Sequence, residues 1–350
     1  MQMLLGGGTL LLLLVAMILF LKFAPYGKSG LEALSGAACA TFLPQAFLSY
    51  VIGGIFNIEF MKQIGDNLGS LGGLAVGVLT CLKMKTNPVY AVIIGLVLYN
   101  FSLLPAFIAA YLISFGLKFI DKKVPEGLNL IVVILLAPAI TYGIASLINP
   151  GITLMLEAIS NAVNVVGDSN PYLLAAILGI LMPITGMTPL SSMVVASFLG
   201  ITGNPMAIGA LTCMGASFVN FVLFKRLGIG NWGTSISVGI EPLTQIDKIV
   251  QYPLQLYSVN AIVGIINGCI ITFSGLIINA EGVATPIAGP IVLFGFNGPV
   301  QSIITIVVVA INSLVWSFIF SMIIKHFNLV NIDFKSLFKG KSKGSQGSQS

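Results

Sequence analysis

The stretch Asn231–Gln255, NWGTSISVGIEPLTQIDKIVQYPLQ, lies between two strongly apolar runs, Met206–Phe224 and Tyr257–Ile278. Its 25 residues carry two acids, one lysine, three glutamines, four Ser/Thr hydroxyls and two prolines. Only 8% of the chain is charged, so this density of polar groups needs a reason. Glu241 stands near its centre. A broken, re-entrant segment lining a polar cavity inside a membrane provides one, because irregular backbone at membrane depth survives only where protein or trapped water satisfies its polar groups.

The rest of the composition agrees. Of 350 residues, 57% are hydrophobic, and the mean hydropathy is +1.02. A soluble domain would carry roughly 25% charged residues. Leu10–Phe20, Leu128–Ile148 and Ile303–Ile324 approach or reach the ~20 apolar residues that cross a bilayer. The ten-residue alternating strands of a membrane barrel are missing from the pattern. The fold class expected is therefore all-α and polytopic.

The net charge of +5 comes from lysines in short loops and in the tail, which is not the pattern of a nucleic-acid surface. Lys325, Lys335, Lys339, Lys341 and Lys343 follow or end the last apolar run, which places the C-terminus in the cytoplasm by the positive-inside rule. Residues 331–350 read as a basic, disordered cytoplasmic tail. Cys39, Cys81, Cys213 and Cys269 are scattered in apolar contexts, as buried free thiols are, with no disulfide framework. The single histidine, His326, sits at a membrane exit. No cofactor motif, metal-ligand cluster, nucleophile–histidine pair or phosphate loop is present, so a membrane-embedded enzyme acting on a soluble substrate lacks support.

Along the chain, Met3–Phe20 reads as a retained span and Leu34–Phe56 as a second apolar segment. Leu68–Leu82 is Gly-rich, which suits close packing of helices. Pro88–Ile120 is too long for one upright span and predicts a helix broken near Asn100 or Pro105. Leu128–Ile148 is the next span, ended by a turn signal at Asn149–Gly151. Thr153–Val166 has helical periodicity and reads as an interfacial or pore-lining helix. Pro183–Pro205 is punctuated by Pro, Gly, Thr and Ser, and Glu281–Pro299 is again Gly/Pro-rich. Basic loops do not alternate cleanly, which points to about 8–11 spans plus two half-spanning re-entrant hairpins. Pro183–Pro205 and Asn231–Gln255 are two interrupted, hydroxyl-rich stretches flanking one span, Met206–Phe224, and such a pair marks the midplane binding site of secondary transporters.

TGMTPLSSMVVASFLGITG, an apolar span with Cys213, GNWGTSISVGIEPLTQIDKIVQYP and then TPIAGP, taken in that order, resemble the IIC_2 type of phosphotransferase-system permease, a group that includes perfringolysin-regulator-like membrane proteins. The likeness is best over residues 180–300. The GIEP at Gly239–Pro242 is similar to the signature of the wider glucose-type EIIC superfamily, without the hydroxyl residue before the glutamate. The resemblance implies an EIIC-like homodimer whose N-terminal half serves as scaffold and interface and whose region of about 170–300 holds a sugar between two re-entrant hairpins. It implies that Glu241 binds sugar hydroxyls. Two features depart from the family: no membrane histidine partners the glutamate, and no IIA or IIB segment is present. Phosphotransfer would therefore need separate IIA/IIB proteins.

The residues themselves name the candidates. Glu241 can accept hydroxyl hydrogen bonds, or position and deprotonate an attacking hydroxyl if phosphoryl transfer occurs. Asn231, Thr234, Ser237, Thr244 and Gln245 supply neutral donors and acceptors, as do Thr188, Ser191 and Ser192 from the earlier broken stretch. Asn220 and Asn297 join them as mid-span or hairpin amides that could equally bond helix to helix. Trp232 reads as a sugar-stacking ring or an interfacial anchor, and Asp247–Lys248 as a hairpin-end ion pair. The function expected is a plasma-membrane permease for a small polar, sugar-like solute. The competing function is a membrane sensor that binds its ligand without transport.

Overall fold

The structure, a computed structural model, describes residues 12, 15–188 and 190–327. The Lys-rich tail, the start of the Met3–Phe20 run and Pro189 lie outside the described residues. Among the described residues every element is helical apart from one isolated antiparallel bridge.

The first half begins with a helical stretch, 15–23, and α1, Gly27–Pro44, which runs on as a π-helix over Gln45–Gly53. Then come α2 (Glu59–Ser70), α3 (Gly72–Lys83), α4 (Pro88–Val97), α5 (Leu103–Lys123) and α6 (Leu128–Ser169). The apolar run after Pro88 is indeed broken, at 98–102, between α4 and α5. Helices α2 and α3 meet at a 52° bend. The glycines after Leu68 act as spacers: a Cβ on Gly77 would lie 2.9 Å from the Gly95 Cα, so α3 and α4 touch backbone to backbone.

Helix α6 overturns one expectation. The turn signal at Asn149–Gly151 does not end it; its 42 residues continue through Pro138 and Pro150 to Ser169, about 63 Å at 1.5 Å per residue. The Thr153–Val166 segment is simply its second half, with Ile159, Ala162 and Val163 buried. Inside a membrane a helix tolerates proline because neighbouring groups satisfy the freed carbonyl. Leu147 of α6, 83% exposed, is the kind of side chain that only lipid covers.

The second half comprises α7 (Pro171–Gly186), α8 (Ser192–Phe198), α9 (Asn204–Leu227), α10 (Trp232–Ile240), a 3-10 turn at Pro242–Gln245, α11 (Ile246–Ile249), α12 (Pro253–Ser274), α13 (Ala288–Val292) and α14 (Pro299–His326). Among the described residues six helices are long and apolar enough to cross a membrane, or seven if the bent α2–α3 pair is one span; α4 and α7 are shorter apolar helices. The chain is thus an all-α, multi-pass membrane protein.

Helix α9 is the axis of this half and the most buried of the long helices. It packs on α7, α12 and α14. Where α7 crosses α12 the backbones meet with nothing between them: a Cβ on Gly264 would sit 1.9 Å from the Gly179 carbonyl oxygen. Against α14, buried Thr305, Ser313, Ser317 and Ser321 recur on one face, and Asn267 of α12 donates to Ser313 Oγ at 2.9 Å. Lipid gives helices no hydrophobic reason to associate, so small residues and interhelical hydrogen bonds do that work.

Candidate functional site

Three interruptions in the second half converge. The first follows α7, where the chain leaves the helix at Met187 and re-enters at Ser192. Ser191 caps α8 with φ 57° and ψ 128°, a region that costs a non-glycine residue about 1–3 kcal/mol. The second is at Glu241. Helix α10 starts with a capping box, Asn231 Oδ1 accepting from the Thr234 N–H at 2.9 Å, and stops nine residues later. Pro242 explains the stop, because the residue before proline is forced out of the helical region; Glu241 is extended at φ −144°, ψ 104°. The third is the 275–287 connection, of which Thr285 is the polar residue nearest α13; its Oγ1 accepts from the Ala288 N–H at 3.0 Å.

The third interruption is stitched to both ends of α8. Ser192 Oγ, at the re-entry after the first interruption, donates to the Ala284 carbonyl at 2.6 Å; beyond α8, Gly203 and Ile278 exchange backbone hydrogen bonds of 2.8 and 2.9 Å, and Asn204 Nδ2 donates to the Leu276 carbonyl at 2.8 Å. Each bond satisfies a group that broken backbone would leave unpaired. The second interruption is tied on itself: Lys248 Nζ donates to Thr234 Oγ1 at 2.8 Å, closing the α10–α11 hairpin. The ion pair expected between Asp247 and Lys248 therefore does not form; the lysine reaches back across the hairpin instead.

Between these interruptions and α1 lies a cavity of about 410 Å³. Glu241, Ser191, Ser192 and Thr285 line one side, with Cys213 of α9 behind them. The Glu241 carboxylate is half-buried and lines the cavity together with Cys39 and Cys213. It makes no ion pair among the described residues; the pair that does form there is Lys83–Glu32, at 3.1 Å. The Ser191 hydroxyl makes no hydrogen bond to any described residue although Ser191 is 2% exposed, so it faces the cavity unengaged. A carboxylate and a free hydroxyl on one wall can bind a hydroxyl-rich solute by reciprocal hydrogen bonds.

Of the residues singled out from sequence, Glu241, Ser191 and Ser192 line this cavity together. The others do not. Asn231 and Thr234 form the α10 cap. Thr244 Oγ1 donates to the Glu241 carbonyl at 2.8 Å and steadies the break, while the Ser237 carbonyl accepts the Glu241 N–H at 2.9 Å. Gln245 ends the 3-10 turn. Thr188 Oγ1 donates to the Thr185 carbonyl at 2.9 Å. Asn220, fully buried, accepts from Asn260 Nδ2 at 2.8 Å and joins α9 to α12. Asn297 holds Ile277 through both backbone groups, at 2.9 and 2.7 Å. Trp232 lies under Lys225, 4.6 Å from its ring centroid, and away from the cavity.

Sequence reasoning missed Lys28, Glu32, Ser35, Gly36 and Cys39 of α1, and Lys83, all of which line the cavity. The α1 set was findable: spacings of 4, 7, 8 and 11 place it on one helix face. Lys83 carried no such signal, because it reaches Glu32 across 51 residues of sequence.

The family described as Phosphotransferase system, EIIC, has a model that matches residues 29–336. The chain belongs to this family. That makes it a membrane permease component of sugar transport, working with partner proteins of the phosphotransferase system. No curated protein and no solved structure matches the chain. The matched range takes in α1 from its third residue and every cavity-lining position except Lys28.

Proposed function

We propose that this EIIC protein binds a small sugar or polyol in the cavity beside Glu241 and carries it by alternating access. The unit that moves is the one bearing the interruptions, roughly residues 170–300, with the α10–α11 hairpin acting as a re-entrant element. It moves against the first half, through which two copies associate in the plasma membrane with their C-termini in the cytoplasm. Separate IIA and IIB proteins supply the phosphoryl group where transport is coupled to phosphotransfer.

The observation that carries this reading is Glu241: a half-buried carboxylate, facing a cavity, in no ion pair among the described residues. Such a group is costly at membrane depth and persists where function needs it. Hydroxyl donors of a sugar satisfy it, and Ser191 and Ser192 stand beside it as short polar neighbours. Breaking α10 at Pro242 keeps the carboxylate at a chain interruption, so its position can change when the hairpin shifts without unwinding a helix.

The test is uptake into proteoliposomes by wild type and Glu241→Gln. The substitution keeps size and removes charge. Uptake is expected to fall below detection while the chain keeps its helical content and its size-exclusion profile. Undiminished uptake would remove the central role of Glu241. Ligand-induced thermal stabilisation of wild type without any flux would favour a sensor over a permease.

A further inference from the structure

The α1 side of the cavity carries charge that hydroxyl recognition at Glu241 leaves unexplained. Lys28, Glu32 and Cys39 fall on one face of α1, and Lys83 joins them from the end of α3. The Glu32 carboxylate is paired with Lys83 at 3.1 Å. Lys28 makes no ion pair or hydrogen bond among the described residues and is exposed at the rim. This part of the cavity therefore holds two ammonium groups against one carboxylate.

Glu241 pairs with neither lysine: the ion pair that forms among the described residues is Lys83–Glu32. Glu241 sits at the α10 break, whereas the ammonium groups come from α1 and α3, so a carboxylate and an uncommitted cation, Lys28, line one cavity of about 410 Å³ from different elements. A hexose carrying an anionic group offers hydroxyls to the first and an oxyanion to the second.

We propose that Lys28 and Lys83 form an oxyanion subsite that takes an anionic group borne by the solute whose hydroxyls reach Glu241. This rests on the sugar-binding reading of Glu241. Ammonium groups are compact, mobile donors suited to carboxylate or phosphate oxygens. The Lys83–Glu32 pair is half-exposed on both sides, and such pairs are weak. An arriving oxyanion can displace Glu32 from Lys83 at little cost. Glu32 is then a competitor that fills the subsite when it is empty. The anionic group has two sources: a carboxylate that belongs to the solute, or a phosphoryl group placed on it by a partner protein.

The full chain in lipid nanodiscs is titrated with glucose, glucuronate, glucose 6-phosphate and inorganic phosphate. An acidic probe is expected to bind about tenfold more tightly than glucose, the scale of one charge-assisted contact. Lys28→Ala removes most of that advantage and Glu32→Gln enlarges it, each read as the ratio of acidic-probe to glucose affinity within the same variant. Preference for glucuronate identifies the solute's own carboxylate; preference for glucose 6-phosphate and inorganic phosphate identifies the phosphoryl group. The proposal is overturned if no acidic probe binds more tightly than glucose, or if Lys28→Ala weakens glucose and acids alike. Glu241→Gln, run in parallel, separates the two ideas: intact glucose binding in that variant sinks the sugar reading, whereas Lys28→Ala reports on the oxyanion subsite.

Discussion

Across the cavity, α1 presents five residues from one face of an unbroken helix, while the wall opposite is assembled from three places where helices stop. The α1 wall carries its charge on long side chains, the exposed Lys28 and the half-exposed Glu32, joined by Lys83. The opposite wall carries short groups, Ser191, Ser192 and Thr285, with Glu241 as its one charged side chain. The difference is one of backbone satisfaction. An intact helix pairs its own amides and carbonyls, so its face is free for long side chains. A wall of helix ends must pair its backbone elsewhere, and Ser192 and Thr285 are partly engaged in doing so. Mobility and recognition are therefore expected on the broken wall, and tuning on the continuous one.

Substitutions should separate the walls. The largest effect is expected at Gly264, where α12 meets α7. A Cβ there collides with the Gly179 carbonyl, and overpacking of this kind costs about 3 kcal/mol. Gly264→Ala should therefore lose most detergent-stable protein in fluorescence-detected size exclusion. Gly36→Ala on α1 is the counterpart: its nearest neighbour would be Leu79 Cδ1 at 3.5 Å, an ordinary contact, and expression and melting temperature should hold. Equal damage from both would erase the distinction between a tightly crossed half and an accommodating wall.

A smaller effect is expected from Ser192→Ala. It removes the donor to the Ala284 carbonyl and leaves a buried acceptor unpaired, at about 1–3 kcal/mol. Thermal unfolding should shift down, and uptake should fall further than stability alone explains, because two interruptions lose their stitch. The smallest effect is on the α1 wall. Lys83→Met breaks a half-exposed ion pair worth less than about 1 kcal/mol, so the melting temperature should barely move.

The broken wall was legible in sequence because its residues break local rules. Polar groups crowd into an apolar chain at Asn231–Gln255, Pro242 follows Glu241, and Pro and Gly punctuate the flanking stretches. What could not be read was which polar groups face the cavity. Asn231 and Thr234 look like ligands in a list of donors, yet a helix start needs a cap, and that local demand takes them. Asn220 has the same double character, and Asn260 claims it. The α1 wall breaks no rule: its charges sit on a regular helix, and only packing brings Lys83 to Glu32. Proline likewise misled at α6, since Pro150 ends helices in water more readily than in a membrane.

Cys39 gives the most direct test of the shared cavity, because it lies on the α1 wall of the cavity that Glu241 also lines. The rate of maleimide labelling at Cys39, read by peptide mass spectrometry, is measured with and without a transported sugar, in wild type and in Glu241→Gln. The account expects the sugar to slow labelling in wild type and to have no effect in the variant. Equal labelling rates with and without a sugar that wild type transports would contradict it.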